Sequence, residues 1–360
     1  MAEAHALRRE RAWEELIAQA PTASALLVTS LPNVRYLTGF TGSNAVLLLQ
    51  ESAALLGTDG RYAVQAAEQC PGLPVHIDRV TLPAVAEIWA RGARGALAVE
   101  AAHLSVGDLR ALEAVLGGSP LETSGIVEAG RMRKDDDEMT LVARACAVSD
   151  AALQQILPRI HAGVTEREIA RWLESAMYAQ GADELSFQTI VAAGPHSAKP
   201  HHEPSTRALE EGDFLLIDFG AAVGGYHADE TRTFVIGAPA DWQCEIHAIV
   251  AEAQVAGRDA ARAGASLRDV DSAARSIVAD AGYGEWFDHG LGHGVGLQIH
   301  EAPFFSPRST GKLAAGSSVT IEPGIYLPGR GGVRIEDTIL VSEGPSRSLT
   351  SSPRDLVALG

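Results

Sequence analysis

Three histidines fall within thirteen residues of this 360-residue chain: His289, His293 and His300, in Asp288-His-Gly-Leu-Gly-His-Gly-Val-Gly-Leu-Gln-Ile-His300. The four glycines of the stretch let backbone and side chains crowd toward one point. Imidazoles bind transition metals or move protons near neutral pH, and a glycine-rich mount suits either task. Ordinary loops also use both residue types, so carboxylates from elsewhere must complete a site.

Four acids answer that need. Asp218 ends the apolar run Leu215-Leu-Ile-Asp218, and Glu322 ends Val319-Thr-Ile-Glu322; Asp229 and Glu336 follow each of them downstream. A carboxylate in an apolar strand is costly to bury as a charge unless it is paired or metal-bound. A single such acid reads as half of a buried ion pair. Four of them outnumber the obvious neighbouring cations, Arg232 and Arg334. Four carboxylates with one imidazole suit two divalent ions of the harder kind, Mn²⁺ or Co²⁺, better than a lone structural zinc. Two such ions roughly 3.5–4 Å apart activate a water and polarise a substrate oxygen. One histidine is then a ligand and the others are free for proton transfer or oxyanion stabilisation. His289 and His300 also have a plainer reading as packed loop histidines.

The elements that must position these residues repeat. Ala162-Gly-Val-Thr-Glu-Arg-Glu-Ile169 resembles Ala263-Gly-Ala-Ser-Leu-Arg-Asp-Val270, each with a hydroxyl three residues before an acid, the spacing that opens a helix. Helical stretches over 169–179 and 270–279 follow, each closed by glycine. Phe214-Leu-Leu-Ile-Asp-Phe-Gly220 then matches Ser318-Val-Thr-Ile-Glu-Pro-Gly324, and the strand after Asp229 matches the strand after Glu336. Order and spacing together imply a duplicated helix–hairpin unit about a pseudo-twofold axis; two copies do not make a solenoid. His227, two residues before Asp229, shares its strand face if the strand is regular.

Length and composition bound the rest. A chain of 360 residues with 46% hydrophobic and 21% charged content is expected to form two globular domains. Residues 8–20 predict a helix, runs at 25–28, 45–49, 53–56 and 96–99 predict strands, and 62–69, 83–89 and 106–116 predict helices between them. That alternation describes a small α/β domain. The glycine-punctuated residues 33–44 read as a turn. The charge run Arg131-Met-Arg-Lys-Asp-Asp-Asp-Glu138 reads as the connection, placing the domains at 1–128 and 129–360. Cys70, Cys146 and Cys244 are scattered, which suits a reducing cytoplasm rather than a disulfide framework. A net charge of −17, from 29 basic and 46 acidic residues, disfavours nucleic acid, and no apolar run matches a signal peptide or membrane span.

The segments Leu216-Ile-Asp-Phe-Gly220, Gly225-Tyr-His-Ala-Asp-Glu-Thr-Arg-Thr-Phe234, the His289–His300 stretch, Ile321-Glu-Pro-Gly-Ile-Tyr326 and Val333-Arg-Ile-Glu-Asp-Thr338 resemble the pita-bread metallopeptidases. That family includes methionine aminopeptidase, prolidase and Xaa-Pro aminopeptidase. Asn33-Val-Arg-Tyr-Leu-Thr-Gly-Phe40 and Thr58-Asp-Gly-Arg-Tyr62 resemble the creatinase/prolidase N-terminal domain. The resemblance implies an α/β (α+β) chain: a small creatinase-like domain, then a pita-bread domain with internal duplication. It implies two divalent metals, Mn²⁺ first and Co²⁺ or Zn²⁺ next, held by Asp218, Asp229, His293, Glu322 and Glu336. Glu322 would also shuttle a proton, His201 would meet the substrate at the scissile bond, and His300 would steady the tetrahedral intermediate. His289 would line the substrate pocket, and Tyr326 and Arg334 would orient the groups around it. His202 is expected exposed, and Arg232 a structural ion-pair partner.

Within the family, the N-terminal domain disfavours methionine aminopeptidase, and the filled ligand positions disfavour creatinase. Prolidases commonly carry an arginine where His300-Glu-Ala-Pro-Phe304 places phenylalanine, with Arg308 at a different spacing. Pro200-His-His-Glu-Pro204 also departs from their usual Pro-His-Gly. Both features rank an Xaa-Pro aminopeptidase first, acting on short peptides with proline second, and a prolidase as its alternative. A metal-stabilised binding protein on the same fold is the third reading. A cytoplasmic homodimer is expected.

Overall fold

Short apolar runs bounded by Gly, Asp and Ser become strands because alternate residues can then face helices on either side. The computed structural model describes residues 2–92 and 95–360. It divides into two units, Met1–Arg131 and Met132–Gly360.

In the first unit, helix α1 (Ala2–Gln19) precedes strand β1 (Ala23–Val28), helix α2 (Leu31–Thr38), and strands β2 (Ala45–Leu49) and β3 (Ala54–Thr58). Helix α3 (Ala63–Gln69), strand β4 (Val75–Ile77), helix α4 (Thr81–Ala90), strand β5 (Ala96–Glu100), helix α5 (Val106–Leu116), strand β6 (Leu121–Thr123) and helix α6 (Ile126–Arg131) complete it. The sheet order is β4-β3-β2-β1-β5-β6. Leu27, Val46, Val85, Leu97 and Leu112 are buried between sheet and helices.

One expectation fails here. Residues 33–38 belong to α2 and are not part of a turn. Asn33, a turn former by type, is buried: its amide donates to Glu100 at 2.6 Å and Glu128 at 2.7 Å and accepts from Arg131 at 2.7 Å. Gly39, at φ 81°, ends the helix by taking the left-handed position.

The charge run has a local purpose in the second unit. Asp135 and Glu138 close a capping box on helix α7 (Asp136–Ile156), worth about 1 kcal/mol. Helix α8 (Glu166–Ala179), strands β7 (Glu184–Leu185), β8 (Ile190–Ala193), β9 (Phe214–Phe219), β10 (Ala221–Val223), β11 (Tyr226–His227) and β12 (Glu230–Ile236) make the first repeat. The second comprises helices α9 (Asp241–Ala260) and α10 (Leu267–Asp280), and strands β13 (Gly292–Gly294), β14 (Glu301–Phe305), β15 (Ser318–Ile321), β16 (Gly324–Leu327), β17 (Gly331–Arg334) and β18 (Asp337–Leu340).

The duplication is visible in the hydrogen bonds. Thr165 and Ser266 cap α8 and α10, which are each 14 residues long. Gly163 and Val164 exchange bonds with Leu209, as Gly264 and Ala265 do with Leu313, all at 2.8 Å. The strand order β12-β9-β8 in one sheet recurs as β18-β15-β13 in the other. The copies then interlock: Asp229 N donates to Thr338 Oγ1 at 3.2 Å, and Glu336 N donates to the Thr231 carbonyl at 3.1 Å. Each hairpin's second acid is therefore fixed by the other copy. No helix among the described residues is long and apolar enough to cross a membrane.

Candidate metal centre

Strand geometry explains why the five predicted ligands meet. Asp218 sits near the end of β9 opposite Thr231, and Asp229 immediately precedes β12. Glu322 follows β15 and Glu336 precedes β18, in the matching places of the second hairpin. His293 occupies the middle of β13, wedged between β14 and β15. Its flanking glycines make that wedge possible, since a Cβ on Gly292 would run into the Thr320 carbonyl and one on Gly294 into the Ala302 carbonyl.

Four of the five side chains are held by a named neighbour. Thr231 Oγ1 donates to Glu336 Oε2 at 2.7 Å and Thr320 Oγ1 to Glu322 Oε1 at 3.2 Å. Arg334 Nη2 donates to Asp218 Oδ2 at 2.6 Å. His293 Nδ1 lies 3.0 Å from the Gly294 carbonyl, so Nδ1 carries the proton and Nε2 presents its lone pair. That lone pair looks at Asp229 Oδ2, 3.5 Å away, and Glu322 Oε1, 3.4 Å away.

This arrangement fits cations better than protons. Asp218 Oδ1 is buried with no hydrogen-bond partner. The His293–carboxylate distances are too long for good hydrogen bonds. Ligand atoms each about 2.1 Å from a shared ion stand about 3.0–3.5 Å apart, the spacing seen here. Ligand atoms of Asp229, His293 and Glu336 all lie within 4.8 Å of one another. Without an ion, burial and the neighbouring acids push Asp229 and Glu336 well above the usual carboxylate range, and burial with Asp218 pushes Glu322 to about 8. Burial and the approach of His300 hold the His293 imidazole down at about 4.

The site opens into a cleft of about 460 Å³ walled by the five ligands with His201, His289, His300 and Arg334. Phe187, Ile190, Pro200, Phe304 and Phe305 supply its apolar wall. The sequence points to Phe304 but not to Phe187, Ile190 or Phe305, since nothing in it brings 187–190 beside 304–305. His300 stacks edge-on against His293 with ring centroids 4.4 Å apart, and burial and His201 lower its pKa. Tyr326 does not line the cleft. It stands behind the wall, receiving Arg334 Nη1 at 2.9 Å and reaching His289 Nε2 at 3.0 Å. His289 Nδ1 meets the Gly290 carbonyl at 2.8 Å, so the chain Arg334–Tyr326–His289 fixes the neutral ring, whose pKa burial and Arg334 depress to about 4.

Of the two remaining histidines, only His202 departs from expectation. His202 is tucked against Glu166 at 3.0 Å rather than exposed, because that buried carboxylate lies 36 residues away in sequence. His227 turns to the Gly296 carbonyl at 2.8 Å and does not line the cleft. Arg232 is buried against Glu230 at 2.8 Å and Asp337 at 2.9 Å, beneath the site. The threonines 231, 320 and 338 were not anticipated; their only signal is that they alternate with ligands along the strands.

Known proteins match nearly the whole chain. Residues 140–343 match the model of metallopeptidase family M24, and residues 8–133 match the creatinase/prolidase N-terminal domain. An Xaa-Pro dipeptidase of Pyrococcus horikoshii is 36% identical over 92% of this chain and 94% of its own. The structure of an Xaa-Pro dipeptidase from Bacillus anthracis superposes with TM-score 0.95 at 38% identity, covering 99% of this chain and 100% of that one. An X-Pro aminopeptidase from Thermotoga maritima gives TM-score 0.89 at 35% identity over 98% and 99%. On these matches, the chain belongs to metallopeptidase family M24, with a creatinase/prolidase N-terminal domain.

Proposed function

We propose that this chain is an Xaa-Pro dipeptidase with a dinuclear metal centre. The convergence of five ligand side chains and three further histidines on one cleft carries the peptidase reading. The choice of dipeptides rests on the Pyrococcus and Bacillus relatives, both named Xaa-Pro dipeptidase. It reverses the order in which the sequence ranks the two activities. The aminopeptidase reading keeps two observations: the similarity to the Thermotoga X-Pro aminopeptidase, and Phe304, 52% exposed on the cleft wall where a cation would grip a dipeptide carboxylate. Among the described residues, Arg334 is the one Arg or Lys on that wall, and Asp218 already engages it.

Asp218, Asp229 and Glu336, with His293 and Glu322, would hold two divalent ions, Mn²⁺ first, with Co²⁺ or Zn²⁺ as substitutes. Bound there, they supply Lewis acidity toward the scissile carbonyl and lower the pKa of a water. Glu322 takes the proton released on attack at its free carboxylate oxygen and passes it to the leaving imino nitrogen. His201 and His300, both exposed to the cleft, donate N–H groups to the oxygen on which charge develops. His289 and the apolar wall of Phe187, Ile190 and Phe305 seat the proline ring. The discriminating assay offers Xaa-Pro and Xaa-Pro-Yaa peptides to metal-loaded protein. Faster cleavage of the dipeptide is expected; a preference for the tripeptide would install the aminopeptidase.

A further inference from the structure

Glu166 is fully buried at the first turn of α8, where the second repeat places Leu267. The duplication therefore contains its own control: this helix start packs with an apolar residue, so the fold alone does not require a carboxylate. What the first repeat has and the second lacks is a set of partners on residues 193–205. Glu166 Oε1 accepts from Ala193 N at 2.8 Å and meets His196 Nδ1 at 2.8 Å. Oε2 meets His202 Nε2 at 3.0 Å and accepts from Ser205 N at 2.9 Å and Ser205 Oγ at 2.6 Å. Burial alone would raise this acid, yet the bonds from Ser205, Ala193 and His202 hold it at about 2.

The clamped segment carries His201. On one side its neighbour His202 is fixed to Glu166 and stacked on His196, ring centroids 4.3 Å apart. On the other, the Pro200 carbonyl accepts from Arg334 Nη1 at 3.4 Å, and Ser197 Oγ accepts from Gly332 N at 2.8 Å. His201 is the segment's histidine that lines the cleft. We propose that Glu166 is a positioning residue for His201, gathering residues 193–205 so that this imidazole stands where the scissile bond lies. The inference rests on the reading of His201 as a substrate contact. Glu166, His196 and His202 also have spacing that an ion accepts. Backbone and hydroxyl donors already occupy both carboxylate oxygens, whereas an ion site leaves them free.

A double-mutant cycle tests this. Glu166→Gln keeps the shape but faces an amide NH₂ toward N–H donors, and His201→Ala removes the positioned group. In the wild-type background Glu166→Gln should lower kcat about ten- to hundredfold with KM nearly unchanged. In the His201→Ala background it should cost less than twofold, because there is nothing left to position. An equal loss in both backgrounds would overturn the proposal, as would the disappearance of a metal equivalent from Glu166→Gln. If that variant does not fold, His202→Phe, which keeps the ring stack, is expected to show the same coupling at a several-fold level, and its failure to couple is equally fatal. Wild type that cleaves no Xaa-Pro peptide would sink the peptidase reading instead. The positioning claim is then read from the His201 imidazole by NMR: Glu166→Gln should broaden or shift its resonances, and unchanged resonances would refute it.

Discussion

Arg334 Nη2 donates to Asp218 Oδ2 at 2.6 Å, joining the inner hairpin of the second repeat to the first strand pair of the first and leaving Asp218 Oδ1 buried and unmet. The same guanidinium reaches Thr231 Oγ1 at 2.9 Å and Tyr326 Oη at 2.9 Å, so one cation spans both copies. Removing it strands a buried carboxylate. Arg334→Met should destabilise chelator-treated protein by about 3–5 kcal/mol and metal-loaded protein by visibly less, since ions can compensate Asp218. Urea unfolding with and without chelator measures both; equal losses would mean that Asp218 does not face a metal.

Metal binding should stabilise the fold in its own right. An ion that binds only the folded chain contributes about 2.7 kcal/mol when free metal stands at a hundred times its Kd. Chelator should lower Tm and added Mn²⁺ restore it, whereas His293→Ala should show a much smaller shift in a thermal melt.

Tyr326→Phe removes the hydroxyl between Arg334 and His289 and nothing else. Leaving a buried partner unmatched costs about 1–3 kcal/mol. The expected result is a kcat/KM reduced about tenfold or more with metal content unchanged, checked by kinetics beside elemental analysis.

Phe304→Arg puts a cation on the cleft wall where this chain has an exposed ring. A charge-assisted bond to a free carboxylate should raise the dipeptide-to-tripeptide ratio of kcat/KM about tenfold. No change in the ratio would show that the prolyl carboxylate lies elsewhere.

Glu166 gives a pH signature. Its folded pKa, about 2, lies below the ordinary value near 4.5, so its stabilisation is complete above about pH 4.5 and is lost as pH falls toward 2. At pH 7 the wild type should exceed Glu166→Gln by about 2–3 kcal/mol, and the gap should narrow steadily below pH 4.5. A gap independent of pH, from urea unfolding at several pH values, would contradict the ionised clamp.

The clustering of the four acids was legible in sequence because acids interrupting apolar strands are expensive, and because the interruption recurs with its spacing kept. The helix pair was legible for a similar local reason, hydroxyl caps three residues before an acid. Residues 33–38 misled because Asn33 owes its helical place to Glu100 and Glu128, partners 67 and 95 residues away. His202, in a loop, misled for the same reason, its partner Glu166 lying 36 residues away on α8. Specificity was the least legible: Phe304 pointed to an open cleft, but an absent arginine says little about what else can hold a carboxylate.

If two hairpin copies and His293 assemble a two-metal peptidase, activity must follow metal occupancy. The rate of Xaa-Pro dipeptide hydrolysis by metal-stripped protein, measured as Mn²⁺ is added and expressed per chain, reads this out. The rate should rise from near zero and level off at two equivalents. Saturation at one equivalent, or no hydrolysis with Mn²⁺, Co²⁺ or Zn²⁺, would contradict it.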